Sequence, residues 1–179
     1  MLDKVFPKIH QEGYKFLIIA ILITIVLYFV SHFLGLICLV LTIWVYYFFR
    51  DPERISINDE NYLVSPADGL VLDVSEKSGP KELGLENKNF RKISIFMNVF
   101  DCHVNRSPCA GKISEIFYKP GKFINASLDK SSEDNERNYC KIINKQREEV
   151  IVVQIAGLIA RRIVCEVSKD QELDQGSRI

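Results

Sequence analysis

Apolar positions are unevenly spread along this chain. From Phe16 to Phe49 it reads FLIIAILITIVLYFVSHFLGLICLVLTIWVYYFF, with His32 the one side chain able to charge near neutrality. A single helix over that stretch would run about 50 Å at ~1.5 Å per residue, against a hydrocarbon core of ~30 Å. One straight span is therefore a poor description. Ser31 and His32, with Gly35 close behind, split the block into two apolar runs of similar length, and the pattern predicts a transmembrane or re-entrant helical hairpin. A cleavable signal peptide fits less well, because the block is too long and no small-residue cleavage site follows it. Lys4, Lys8 and Lys15 precede the block, Arg50 and Arg54 follow it, and the turn carries neither Lys nor Arg. That asymmetry predicts both ends on the cytoplasmic side of the cell membrane, with Trp44, Tyr46 and Tyr47 suited to an interfacial belt.

After Arg54 the period changes. NYLVS, LVLDV, KISIFMNVF, GKISEIFY, EEVIVVQIA and RRIVCEV are short β-branched or aromatic runs, separated by Gly, Pro, Asn and Asp. KSSEDNERNYCK is the most polar stretch and reads as a helix or a long loop. The expected fold is a mainly β (α+β) domain over residues 55–179, preceded by a membrane-anchoring helical hairpin with its flanks over residues 1–54.

Charge and cysteine content narrow the classes. Lys plus Arg and Asp plus Glu both number 23, so no net field recruits nucleic acid, and no basic stripe with interleaved aromatics is present. The 5 cysteines are odd in number and form no C-x-x-C pair. This argues against a disulfide framework or a metal site, and for a reducing compartment.

Three stretches could carry chemistry. In SPADG, Ser65 to Gly69, the residues are good turn formers, and Asp68 is either a turn residue or a carboxylate that orients a histidine. In FMNVFDCHVNRSPCAGKI an apolar run delivers Asp101, His103, Asn105 and Arg106 within a few positions. His103 can serve as acid or base near neutrality, or be a satisfied rim histidine. Arg106 can bind a phosphate or carboxylate, or pair with Asp101. In YKPGKFINASLDKSSEDNERN, Lys122, Asn125, Ser127 and Lys130 crowd a loop that suits a phosphate, although such runs are often solvated surface.

Taken together, YYFFRDPER, SPADG, SIFMNVFDCHVNRSPCAGKI, YKPGKFINASLDKSSEDNERN and VQIAGLIARRIVCEV resemble, in type and order, the short form of the phosphatidylserine decarboxylase family. The resemblance implies a membrane-bound lyase that removes CO2 from the serine head group of phosphatidylserine, giving phosphatidylethanolamine. Its cofactor would be a pyruvoyl group made from a serine of the precursor, which splits into a β chain and a shorter α chain. A ketone accepts the electron pair left by departing CO2, which no ordinary side chain can do. By the same resemblance Asp68 assists self-cleavage, His103 donates the proton, and Arg106, Lys122, Asn125 and Ser127 are substrate-binding candidates. Where longer members carry a second histidine, this sequence has Arg106. That leaves the processing base unassigned and makes His103 a candidate for both tasks. The implied partners are the phospholipid, the membrane and the protein's own α chain; a homodimer is admitted but not required.

Gly176-Ser177-Arg178 looks like a processing step, yet it follows the polar KDQELDQ and matches the opening Gly-x-Arg of the family's pattern better than its closing Gly-Ser-Arg. Ser177 is therefore expected in a turn, with the pyruvoyl serine beyond this sequence and these residues alone inactive. The competing reading is a membrane-anchored lipid-binding or assembly module without catalysis.

Overall fold

A computed structural model describes residues 6–125 and 134–179. The chain divides into two compact units, one of Met1–Arg54 with Met97–Val104, the other of Ile55–Phe96 with Asn105–Ile179. Ser127 and Lys130 lie outside the described residues.

In the first unit, helices α1 (Gly13–Val30) and α2 (His32–Phe48) form the hairpin. Ser31 breaks the helix by turning extended, φ −159° and ψ 125°, while its carbonyl accepts Gly35 N at 2.9 Å to start α2. The arms then meet closely. A Cβ on Gly35 would stand 2.6 Å from Tyr28 Cα, so only glycine fits there. Thr24 and Thr42 share a hydroxyl hydrogen bond of 2.8 Å across the pair. Of the two helices, α1 is long and apolar enough to cross a membrane; α2 is shorter. Both expose apolar side chains all round, as a helix meant for an apolar solvent does.

The base of the hairpin is tied on two sides. His10 N donates to Phe49 O at 2.9 Å and Asp51 N to Lys8 O at 2.7 Å, an antiparallel bridge between the two flanks. The segment from Met97 to Val104 joins there as well, since Trp44 Nε1 donates to Val99 O at 3.2 Å and the Cys102 thiol to Arg50 O at 3.2 Å. Sequence periodicity had no means of assigning this segment to the hairpin.

The second unit holds a two-stranded antiparallel ribbon, β1 (Leu70–Ser78) with β2 (Asn89–Phe96), and a four-stranded antiparallel sheet. That sheet contains β3 (Gly111–Lys119), β4 (Arg137–Asn144), β5 (Glu149–Ile155) and the short β6 (Glu172–Leu173), in the order β5-β4-β3-β6. β4 runs through the centre and is buried on both faces. Cys140 and Ile142 enter a core with Cys109, Ile113, Val152, Val167, Leu173 and Ile179, and Tyr139 enters a second cluster with Leu83 and Leu85.

Two expectations are corrected here. The polar stretch read as helix or loop contains the start of β4, because Asn135 and Asn138 are polar residues buried on hydrogen bonds rather than solvated ones. NYLVS and RRIVCEV, read as strands, form none and join no ladder.

Candidate active site

The SPADG bend is built against the segment that follows His103. Arg106 N donates to Pro66 O at 2.9 Å, Val64 N to Pro108 O at 2.9 Å, and Ser65 Oγ to Ala67 O at 2.7 Å. Gly69 leaves the bend at φ +154°, and a Cβ there would strike Phe96 O, so the chain enters β1 by a route open to glycine alone. Asp68 is thereby fixed, half-buried, one residue before that exit. Pro66 O also lies 3.5 Å from Asn105 Nδ2, and Asn105 Oδ1 accepts Gln154 Nε2 at 3.1 Å. Gln154 Oε1 in turn accepts Asn138 Nδ2 at 3.0 Å. A ladder of amides thus runs from β4 through β5 to the Asn105 position.

Arg106 sits in an antiparallel bridge with Arg178, and its Nη1 donates to Gly176 O at 3.0 Å. Around it Gly176 N donates to Ser107 O at 2.8 Å and Ser107 N to Ser177 O at 2.7 Å. Ser177 N closes a turn on Asp174 O at 3.1 Å, with Gly176 at φ +85° in the position that wants a positive φ. Gln175 is buried inside this turn and donates to Tyr62 O at 2.7 Å. The Gly176-Ser177 step therefore lies in a turn, as its polar lead-in suggests.

The phosphate-loop candidates are positioned by a residue that sequence reasoning missed. Asn135 is fully buried; its Oδ1 accepts Ile124 N at 2.9 Å, and its Nδ2 donates to Ile124 O at 2.8 Å and Ala156 O at 2.9 Å. One amide so joins the loop carrying Lys122 and Asn125 to the end of β5, next to Gly157. Lys122 is exposed, with its Nζ 3.0 Å from Asp134 Oδ2. Asn125 is exposed as well. Asn135 was hidden because an Asn in an acidic, polar run carries no periodic signal.

His103 belongs to the first unit and is described there alone. Its ring stacks on Phe48 with centroids 4.2 Å apart and planes 27° from parallel, and its Nδ1 lies 3.0 Å from Asp101 O. A carbonyl can only accept, so Nδ1 carries the hydrogen and the neutral ring has its lone pair on Nε2. Burial holds the imidazole below its ordinary pKa of 6.5, against the opposing pull of Asp101 and with help from the Arg50 charge. At neutral pH His103 is a neutral base. Asp101 itself is committed to a turn, its Oδ2 accepting Asn98 N at 2.8 Å. Among the described residues, no group of three or more His, Cys, Asp or Glu is placed to hold a metal ion.

Comparison with known proteins adds to this geometry. A family model described as phosphatidylserine decarboxylase matches residues 41–179. Over 179 residues the chain is 79% identical to a phosphatidylserine decarboxylase proenzyme of Pelagibacter ubique, covering 100% of this chain and 83% of that protein. Proteins of the same name from Ruegeria pomeroyi and Cereibacter sphaeroides are 50% and 47% identical over 178 residues, 99% of this chain in both cases and 81% and 77% of theirs.

Proposed function

The chain belongs to the phosphatidylserine decarboxylase family, and from that premise we propose how its residues divide the work of releasing CO2 from phosphatidylserine to leave phosphatidylethanolamine. The observation that carries the reading is the 79% identity, over all 179 residues, to a protein named as such a proenzyme. Decarboxylases of this kind work through a pyruvoyl group, which supplies a carbonyl able to accept the electron pair released with CO2.

Ser177 does not fit as the source of that group. Its own N–H and C=O close the turn on Asp174 and the pairing with Ser107, and Arg106 holds the carbonyl before it. We place the pyruvoyl serine outside these 179 residues and give Ser177 to the turn. His103 handles the proton. Neutral at pH 7 with Nε2 as its basic atom, it takes a proton there from the ammonium group of the substrate and delivers it to the carbon that CO2 has left. Asp68, fixed by the SPADG bend, assists the serine of the precursor during self-cleavage. Arg106, Lys122, Asn125 and Ser127 are assigned to the charged head group. Asn135 keeps the Lys122 loop in place for this.

The apolar hairpin anchors the protein beside a substrate that stays in its leaflet, with both ends cytoplasmic by the flanking Lys and Arg. The partners in this reading are the membrane, the phospholipid and the α chain of the same precursor, and a homodimer is compatible with it.

The test uses the proenzyme carrying these residues, with vesicles containing phosphatidylserine. CO2 and phosphatidylethanolamine should both appear, and Asp68→Asn should leave the precursor as one uncut band on a denaturing gel. Vesicle binding with no CO2 release would instead establish a lipid-binding module and reject the enzyme.

A further inference from the structure

Away from these residues, one pair of nucleophilic side chains is placed to react with each other. Cys140 is fully buried at the centre of β4, held by pairing to Ile116 on one side and Val152 on the other. Cys165 is half-buried on the segment after β5, which joins no strand. Their Sγ atoms lie 4.0 Å apart, close enough for one thiol to hydrogen-bond the other. We propose that Cys140 and Cys165 are an oxidation site, joined into a reversible intrachain disulfide when the protein meets a peroxide.

The two sulfurs have unequal tasks. Either thiol can donate in the hydrogen bond they share, and that bond holds the Cys165 thiol below its ordinary pKa and pushes the Cys140 thiol up. The more exposed, more readily ionised Cys165 therefore reacts first. Its thiolate attacks one peroxide oxygen, an S–O bond forms, the O–O bond breaks, and the departing hydroxide takes a proton to become water. Cys140 then loses its proton and attacks the sulfenic sulfur; the S–S bond forms, the S–O bond breaks, and a second water leaves. Two thiols are oxidised by two electrons and one peroxide is reduced to two waters. Closing the pair from 4.0 Å to a bonded distance of about 2 Å falls to the Cys165 segment, which joins no strand, while Cys140 stays in its ladder.

The other thiols outside the helices are poorer candidates. Cys102 donates to Arg50 O, and burial pushes the Cys109 thiol up to about 11. The bond would also be felt beyond the pair, because Asn138 Nδ2 lies 3.4 Å from Cys140 Sγ and 3.0 Å from Gln154 Oε1, in the amide ladder that reaches Asn105.

The experiment is independent of the decarboxylation reaction. The purified chain is exposed to hydrogen peroxide, its remaining thiols are blocked with a maleimide, and it is digested without reductant for peptide mapping. The expected result is a cross-linked peptide joining Cys140 to Cys165, lighter than its parts by two hydrogens and lost on treatment with dithiothreitol. In Cys165→Ser, a change at a half-buried position, the same treatment should leave Cys140 as a reduced thiol that a maleimide labels once the protein is unfolded. Oxidation of Cys165 to sulfinic acid without cross-linking would overturn the proposal. So would a disulfide between Cys109 and either partner in its place.

Discussion

His103 and Asn135 show how single residues are set by what they touch. Because burial lowers the His103 pKa, its unfolded form, near 6.5, takes up a proton first as pH falls. Above that pH both states are neutral and the residue contributes nothing to pH dependence. Below it, stability is lost progressively down through the folded pKa. His103→Gln should remove this loss, so urea midpoints of the two proteins should diverge as pH drops from about 7.5 to about 5. Parallel midpoints across that range would mean that burial does not lower the histidine. In the assembled enzyme, His103→Ala should abolish CO2 release even from molecules that have processed, and full turnover by a processed variant would remove it from the mechanism. Asn135→Ala is a packing test. It deletes three hydrogen bonds to backbone in a fully buried place, so at roughly 1 kcal/mol per bond the loss should be about 3 kcal/mol in denaturant unfolding. A loss under about 0.5 kcal/mol would place that amide in contact with water instead.

The elements differ in how well they are supported, and that difference also decided what the sequence could disclose. The hairpin was legible because an apolar run broken by Ser31 admits few alternatives, and β1, β2, β3 and β5 were legible because β-branched runs sit between turn residues. β4 was not. Its start is polar, with Asn138 buried on Gln154 and Cys140, so the central strand looked like surface. RRIVCEV misled in the opposite sense, since Val167 is buried by packing into the core and not by pairing. Asp68 and His103 were picked out by residue type, but what surrounds each within its own unit comes from distant parts of the chain: Phe48 stacks on His103, and Gln154 holds Asn105, whose amide reaches the SPADG bend. Support also predicts motion. The β1–β2 ribbon leaves Leu70, Val71, Leu72 and Val74 exposed, and two strands alone are marginal in water. In this chain amides of Val71–Val74 should exchange with deuterium well before those of Cys140–Ile142, which lie between two paired neighbours. Equal protection of the two would show that the ribbon is covered.

At the scale of the whole molecule, the hairpin proposed as the anchor also carries Phe48, on which the ring of His103, the proposed proton carrier, stacks. The exposed apolar positions of the hairpin include Phe29 at 84% and Phe33 at 71%, alongside Ile18, Leu22, Val26 and Leu36. At about 1.5 to 3 kcal/mol for burying each such side chain, half a dozen of them entering a bilayer, as proposed, would contribute on the order of 10 kcal/mol to attachment. Deleting residues 16–49 should therefore release the protein from membranes, and pelleting after a high-salt wash would show that the anchor lies elsewhere. The same deletion removes Phe48, on which the His103 ring stacks, and Trp44, which holds Val99 O. It should therefore also cost turnover on detergent-dispersed phosphatidylserine, for a reason unrelated to the membrane. Phe48→Ala separates the two effects. It leaves the exposed apolar positions untouched, so the enzyme should stay membrane-bound, while thinner burial lets the His103 pKa rise toward its ordinary 6.5 and carries the acid limb of kcat/KM upward with it. A Phe48→Ala enzyme that remained on the membrane with an unshifted acid limb would show that this stacking does not set the protonation of His103.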